Sequence, residues 1–256
     1  MFDLKNKDFT IHKFRSLCEA VASNYPTVTM AEYFKGSHPD RFILMRHDVD
    51  RMPGHALETA KIEQELGIRS TYYFRAIKST FKPDIMKQIE NMGHEVGYHY
   101  EDLSVANGDH EKAIRLFASN LEIFRQICDI KTICMHGRPL SKYDNRDMWK
   151  KNDMKGFGLL GEAYLSAGQE LNYLSDTGRS WDSSNNLRDH MSSVDVSIQA
   201  KTTQDLIDLI SSSKLDNFYI LTHPERWSLN TIDWSMYFAI DAAFNLGKKT
   251  LMAVRG

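Results

Sequence analysis

The chain has 256 residues, 42% of them hydrophobic and 26% charged, an ordinary composition for a globular protein with a core of its own. A formal net charge of −2 argues against a nucleic-acid binder, which usually carries a clear basic excess. No apolar run approaches the ~20 residues needed to cross a bilayer, so no membrane span is expected. The opening Met1-Phe2-Asp3-Leu4-Lys5-Asn6-Lys7-Asp8 lacks the apolar stretch of a signal peptide, so the expected location is cytoplasmic. The three cysteines, Cys18, Cys128 and Cys134, are odd in number and not closely paired, and they read as small buried side chains in a reducing compartment.

Residues 9–24 show helical spacing (Phe9, Ile11, Phe14, Leu17, Cys18, Val21), and 27–34 read as a second short helix. An apolar strand comes next at 41–47, then a helix over 54–66 that Gly67 terminates. The β-branched and aromatic stretch 68–74 predicts a strand. A helix at 82–92 stops at Gly93, and a short strand runs from His94 to His99. A long helix over 109–127 leads into a strand at 131–136. Residues 137–170 are rich in Lys, Asp, Asn and Gly and predict only a short helix around 144–151. Strands are expected at 171–175 and 193–199, a helix at 202–212 with Thr203 as its cap, and a strand at 218–222. A helix at 233–246 and a strand at 250–254 close the chain. This alternation predicts a parallel sheet and an α/β fold, a distorted (β/α) barrel of about seven parallel strands. It forms a single domain over 1–256, with a short helical N-terminal extension at 1–38.

In parallel α/β folds the active site lies at the carboxyl ends of the strands, so the residues at the end of each predicted strand are informative. The first strand ends in Arg46-His47-Asp48-Val49-Asp50, one imidazole and two carboxylates at the mouth of a buried run. Such charges are costly unless paired or metal-bound. The third strand gives His99, Glu101 and Asp102, and the fourth gives His136 and Arg138. The strand near 171–175 gives Asp176 and Arg179, and the one near 218–222 gives His223 and Glu225. Five strand ends thus carry potential ligands or acid/base groups. Structural readings stand beside these: Asp50 as a helix cap, Asp48 in a salt bridge with Arg46, the histidines as satisfied core or turn residues, and Trp181 as core. Gly156-Phe157-Gly158-Leu159-Leu160-Gly161 fits a dinucleotide fingerprint in spacing, but the polar, Lys-rich segment before it is no buried strand, so nucleotide binding there is not expected.

In these motifs the chain resembles the polysaccharide deacetylase superfamily, which includes chitin and peptidoglycan deacetylases. His47-Asp48-Val49-Asp50 is similar to its paired-aspartate motif, and Gly93-His94-Glu95-Val96-Gly97-Tyr98-His99 to the lead-in of its second motif. His136-Gly137-Arg138-Pro139, Asp176 to Trp181, and Leu221-Thr222-His223 resemble the third, fourth and fifth motifs, in family order. The resemblance implies a divalent metal ion, zinc first and nickel or cobalt as alternatives, held by Asp50 and His99. It further implies Asp48 as general base, His223 as general acid, and Arg138 paired with Asp48. Trp181, Asp176 and Glu101 are the expected substrate contacts. One departure stands out: Leu103 occupies the position of the family's second-motif ligand histidine, and His136 is the expected substitute. The implied activity is removal of an N-acyl group, acetyl first, from an amino sugar. That sugar would be a nucleotide- or lipid-linked precursor of surface polysaccharide (O-antigen-like, lipopolysaccharide) biosynthesis. The alternatives are a catalytically weak relative that binds carbohydrate or acts as a scaffold, and a hydrolase of another C–N bond such as a formamide or cyclic ureide.

Overall fold

A computed structural model describes residues 7–138, 141–168, 171–181, 200–240 and 242. In chain order its elements are α1 (Ile11–Asn24), β1 (Thr27–Val28), α2 (Met30–Phe34), β2 (Phe42–Val49), α3 (Pro53–Glu65), β3 (Thr71–Arg75), α4 (Pro83–Asn91) and β4 (Glu95–Tyr100). Then come α5 (Asp102–Val105), α6 (His110–Arg125), β5 (Thr132–Met135), β6 (Gly161–Glu162), β7 (Asn172–Ser175), α7 (Thr203–Ser211) and β8 (Asn217–Thr222). Short 3-10 turns lie at Asn145–Lys150, Met154–Phe157 and Pro224–Arg226, and a helical stretch at 231–240. The expected strands at 193–199 and 250–254, the end of the 233–246 helix, and Pro139 lie outside the described residues.

Every strand pairing is parallel, in the order β6-β5-β4-β3-β2-β8-β7, with β1 added beside the start of β2. The seven strands of the main path curl into a distorted (β/α) barrel in a single domain, open between β6 and β7. Side chains cross that opening. The Tyr164 and Tyr173 rings lie 6.4 Å apart, and Tyr219 on β8 donates its hydroxyl to the Ala163 carbonyl. β2 is the keel, buried at all eight positions. Alternation along it sends Ile43 and Met45 to the outer helices and Leu44, Arg46 and Asp48 into the barrel. α1 packs Phe14, Leu17, Cys18 and Val21 into the same outer cluster as Ile43, Met45, Phe218 and Ile220. Each such side chain stabilises the fold by about 1.5–3 kcal/mol when fully buried. The N-terminal helix is therefore built into the core.

The structure corrects two local expectations. Residues 27–34 are not one helix: Thr27 and Val28 pair with Ile43 and Leu44 as β1, and Thr29 opens α2 in a capping box with Glu32. The cap of α7 is Thr202, reciprocally bonded with Asp205, while Thr203 accepts from the Trp181 indole. The glycine-rich 156–161 segment turns through Gly158, which has a positive φ of 69°, and leads into β6. β6 starts at the third of these glycines and no strand leads directly into them, so the segment is no dinucleotide turn, in line with the sequence. Among the described residues no helix is long and apolar enough to cross a membrane.

Candidate metal centre

β2, β4 and β5 lie close together in the sheet, so their carboxyl ends present side chains to one another. Asp50 comes directly after the last residue of β2, His99 is on β4, and His136 continues β5, its backbone N–H donating to the Tyr100 carbonyl at 2.8 Å. Asp50 Oδ1 lies 3.3 Å from His99 Nε2 and 3.4 Å from His136 Nε2. A tetrahedral ion with bonds of about 2.0–2.2 Å to nitrogen and oxygen sets its donors roughly 3.4 Å apart. The chosen donor atoms of Asp50, His99 and His136 all fall within 4.8 Å of one another.

The other ring atoms of the two histidines are already engaged. His99 Nδ1 faces the Cys134 carbonyl at 3.0 Å, and His136 Nδ1 faces Glu101 Oε2 at 3.2 Å. A ring whose Nδ1–H donates in this way keeps its Nε2 lone pair for a ligand, the usual arrangement around protein-bound metals. Asp50 Oδ1 is buried and makes no hydrogen bond of acceptable geometry, although two imidazoles flank it. Nor does Asp50 cap the next helix, whose N-cap position is Met52, without a side-chain bond. An orphaned buried carboxylate oxygen between two oriented imidazoles fits a divalent cation.

Local charge has the same character. Burial pushes the Asp50 carboxyl up, but the imidazoles of His136 and His99 outweigh it and hold it well below the usual range. Burial pushes His136 down, yet Asp50 and Glu101 raise it to about 9. Glu101 is lowered to about 2, because His136 and Arg75 more than offset its burial. Arg75 clamps Glu101 Oε1 at 2.7 and 3.0 Å and donates to the Asp50 carbonyl at 3.1 Å. Glu101, an expected substrate contact, is 6% exposed and braces His136.

Asp48 sits one layer deeper, 2% exposed, with Oδ2 3.6 Å from His99 Nε2. Its guanidinium partner is Arg46, not Arg138. Arg46 Nε and Nη2 donate to the two Asp48 oxygens at 2.9 and 2.8 Å, and Arg46 also donates to the Tyr219 and Tyr164 hydroxyls at 2.6 Å each. Arg138, half-exposed with a positive φ of 35°, lies 3.4 Å from Glu101. The Arg46 pairing was legible, since residues i and i+2 of a strand share a face. The same alternation turns His47 outward, to Glu63 at 2.7 Å and Thr222 at 2.6 Å. Leu103 lies on α5 in the hydrophobic core, 2% exposed.

Beyond β7 and β8 a second pair forms. Asp176 Oδ1 accepts from His223 Nδ1 at 2.6 Å and from Arg226 at 2.7 Å, while Oδ2 accepts the His223 backbone N–H at 2.8 Å. Burial and the adjacent Arg226 push His223 down, but Asp176, with a further contribution from Asp50, leaves it raised. Asp176, an expected substrate contact, is fully buried and orients this imidazole. Trp181, the expected substrate wall, is packed into the outer core cluster. It is 1% exposed, stacks on Phe9 at 6.4 Å, and donates its indole N–H to Thr203. Glu225, 1% exposed, is a strand-end carboxylate to which sequence assigned no role; its carboxyl is pushed up by burial and by Asp50, which places its charge in the same field.

No protein-family profile matches the chain, and no curated protein matches it. Among solved structures it is similar to a CE4 family pseudoenzyme from Bacillus anthracis, at 10% identity and a TM-score of 0.44, covering 82% of this chain and 63% of that one. A mutant of that pseudoenzyme matches at 10% identity and 0.43, covering 82% and 64%. A mutant described as having restored enzymatic activity matches at 10% and 0.44, covering 83% and 65%. The chain therefore spans less than two thirds of the length of the structures it resembles.

Proposed function

We propose that this chain is a divalent-metal-dependent hydrolase that removes an N-acyl group, acetyl first, from an amino sugar. The observation that carries the reading is the convergence of Asp50 Oδ1, His99 Nε2 and His136 Nε2, with both Nδ1 atoms already engaged. These three residues would hold the ion, zinc before nickel or cobalt given two imidazoles and one carboxylate. When bound, such an ion supplies Lewis-acid activation of the amide carbonyl and of water.

The chain's own groups do the rest. Asp48, fixed by Arg46, takes a proton from the attacking water. His223, oriented by Asp176, which favours its protonated form, gives a proton to the departing amine nitrogen as the C–N bond breaks. Amide and water become carboxylate and amine. The substrate form we favour is an amino sugar on a nucleotide or lipid diphosphate, a precursor of surface polysaccharide, whose phosphates Arg51 and Arg138, partly exposed at this rim beside Glu225 and Glu101, would meet.

The test is amine release from a panel of N-acetyl amino sugars, free, nucleotide-linked and polymeric, by protein with measured metal content. Release by the wild type, lost together with the metal in His99→Ala, is the expected result. A metal-loaded protein that binds the sugars and releases no amine from any of them would replace this reading with a binding role.

A further inference from the structure

Behind the Asp50, His99 and His136 centre, a second group of donors shares one residue with it. The Cys134 thiol points into the barrel from β5 and is fully buried, with Sγ 3.9 Å from each oxygen of Asp48. His99 Nε2 lies 3.6 Å from Asp48 Oδ2, and the donor atoms of Asp48, His99 and Cys134 all fall within 4.8 Å of one another. A tetrahedral ion with bonds of about 2.3 Å to sulfur and about 2.1 Å to oxygen would set those two atoms roughly 3.6 Å apart. The sulfur–oxygen pair reaches that spacing by a contraction of about 0.3 Å.

We propose that Asp48, His99 and Cys134 form a second cation position, selective for soft, thiophilic ions and exclusive of the first. Exclusivity comes from His99, whose single Nε2 lone pair faces both positions and serves one ion at a time. Selectivity comes from sulfur and from Arg46. The guanidinium 2.8 Å from Asp48 repels any cation placed there, so only an ion strongly stabilised by a thiolate resides beside it. Hard and borderline ions, zinc among them, remain at Asp50, His99 and His136, where two imidazoles are on offer and no guanidinium is bonded to the carboxylate. Binding forms the sulfur–metal bond and releases the thiol proton to solvent. An ion in the deeper position also occupies Asp48, so strongly thiophilic metals such as cadmium silence the hydrolase that ions at the first centre support. This consequence rests on the proposed role of Asp48, whereas the binding itself does not.

The experiment is titration of the purified full chain with cadmium(II), read by sulfur-to-cadmium charge-transfer absorption, with manganese(II) binding measured in parallel. The band should form in the wild type and persist in His136→Ala. In Cys134→Ser it should vanish and cadmium affinity fall by at least about tenfold, with manganese binding retained as evidence of an intact fold. Cadmium binding without the band, weakened by His136→Ala and not by Cys134→Ser, overturns the thiol position and leaves the first centre standing. The band in a wild type that takes up no manganese supports the thiol position and overturns the first centre. Absence of both metals overturns both.

Discussion

Replacing Arg46 by methionine tests the pairing on which the interior of the barrel depends. Arg46 is fully buried and donates four hydrogen bonds, two to Asp48 and one each to Tyr219 and Tyr164. Tyr219 keeps a partner in the Ala163 carbonyl, so most of the loss falls on Asp48, left as a buried carboxylate without its cation. Breaking a buried ion pair in this way costs about 3–5 kcal/mol, a large share of the ~5–15 kcal/mol that holds a domain together. At roughly 2–4 °C per kcal/mol for a chain near this size, the midpoint of thermal unfolding should fall by about 6–20 °C. Circular dichroism melts and urea titration measure it. Adding Asp48→Asn to Arg46→Met removes the stranded charge and should recover part of the loss, giving a coupling of about 1–3 kcal/mol in the double-mutant cycle. Arg138→Met, at an exposed pair, should change stability by no more than about 1 kcal/mol. If Arg46→Met melts within about 2 °C of wild type, or Arg138→Met carries the large loss, the assignment of Arg46 as the partner of Asp48 is wrong.

Metal uptake should release protons, because His136, raised to about 9 by Asp50 and Glu101, must give up its proton to become a ligand. Calorimetry in buffers of different ionisation enthalpy should find divalent-ion affinity rising with pH up to about 9, and a pH-independent affinity would refute it. In the metal-free protein the sign is opposite: stability contributed by protonated His136 is complete below the ordinary value of 6.5 and is lost as pH rises through about 9. Asp176→Asn should lower kcat by roughly 10²- to 10⁴-fold and move the alkaline limb of the pH–rate profile downward, since the group that raises His223 is gone; an unmoved limb would show that His223 is not the proton donor. Trp181→Ala should cost about 3–5 kcal/mol of stability, as for a buried aromatic, and leave KM unchanged in the folded fraction; a raised KM at unchanged stability would restore Trp181 as a substrate wall.

The alternation of strands and helices and the strand ends bearing Asp48, Asp50, His99, His136, Asp176 and His223 are written in the sequence. Apolar periodicity and charged residues at strand mouths are local properties. β6 and β1 were invisible because two residues carry no periodicity. Tertiary structure alone decided which groups meet. Registers of β2 with β3, and β3 with β4, bring Asp50 and His99 within 3.3 Å of each other. The pleat that gives Asp48 to Arg46 and turns His47 away was already legible, but curl of the sheet sets Cys134 beside Asp48, and packing of the segment after β7 buries Trp181. Sequence names the groups that a strand end can offer; direction and distance come only when the sheet curls, because they depend on residues more than a hundred positions apart, as with Arg46 and Tyr219.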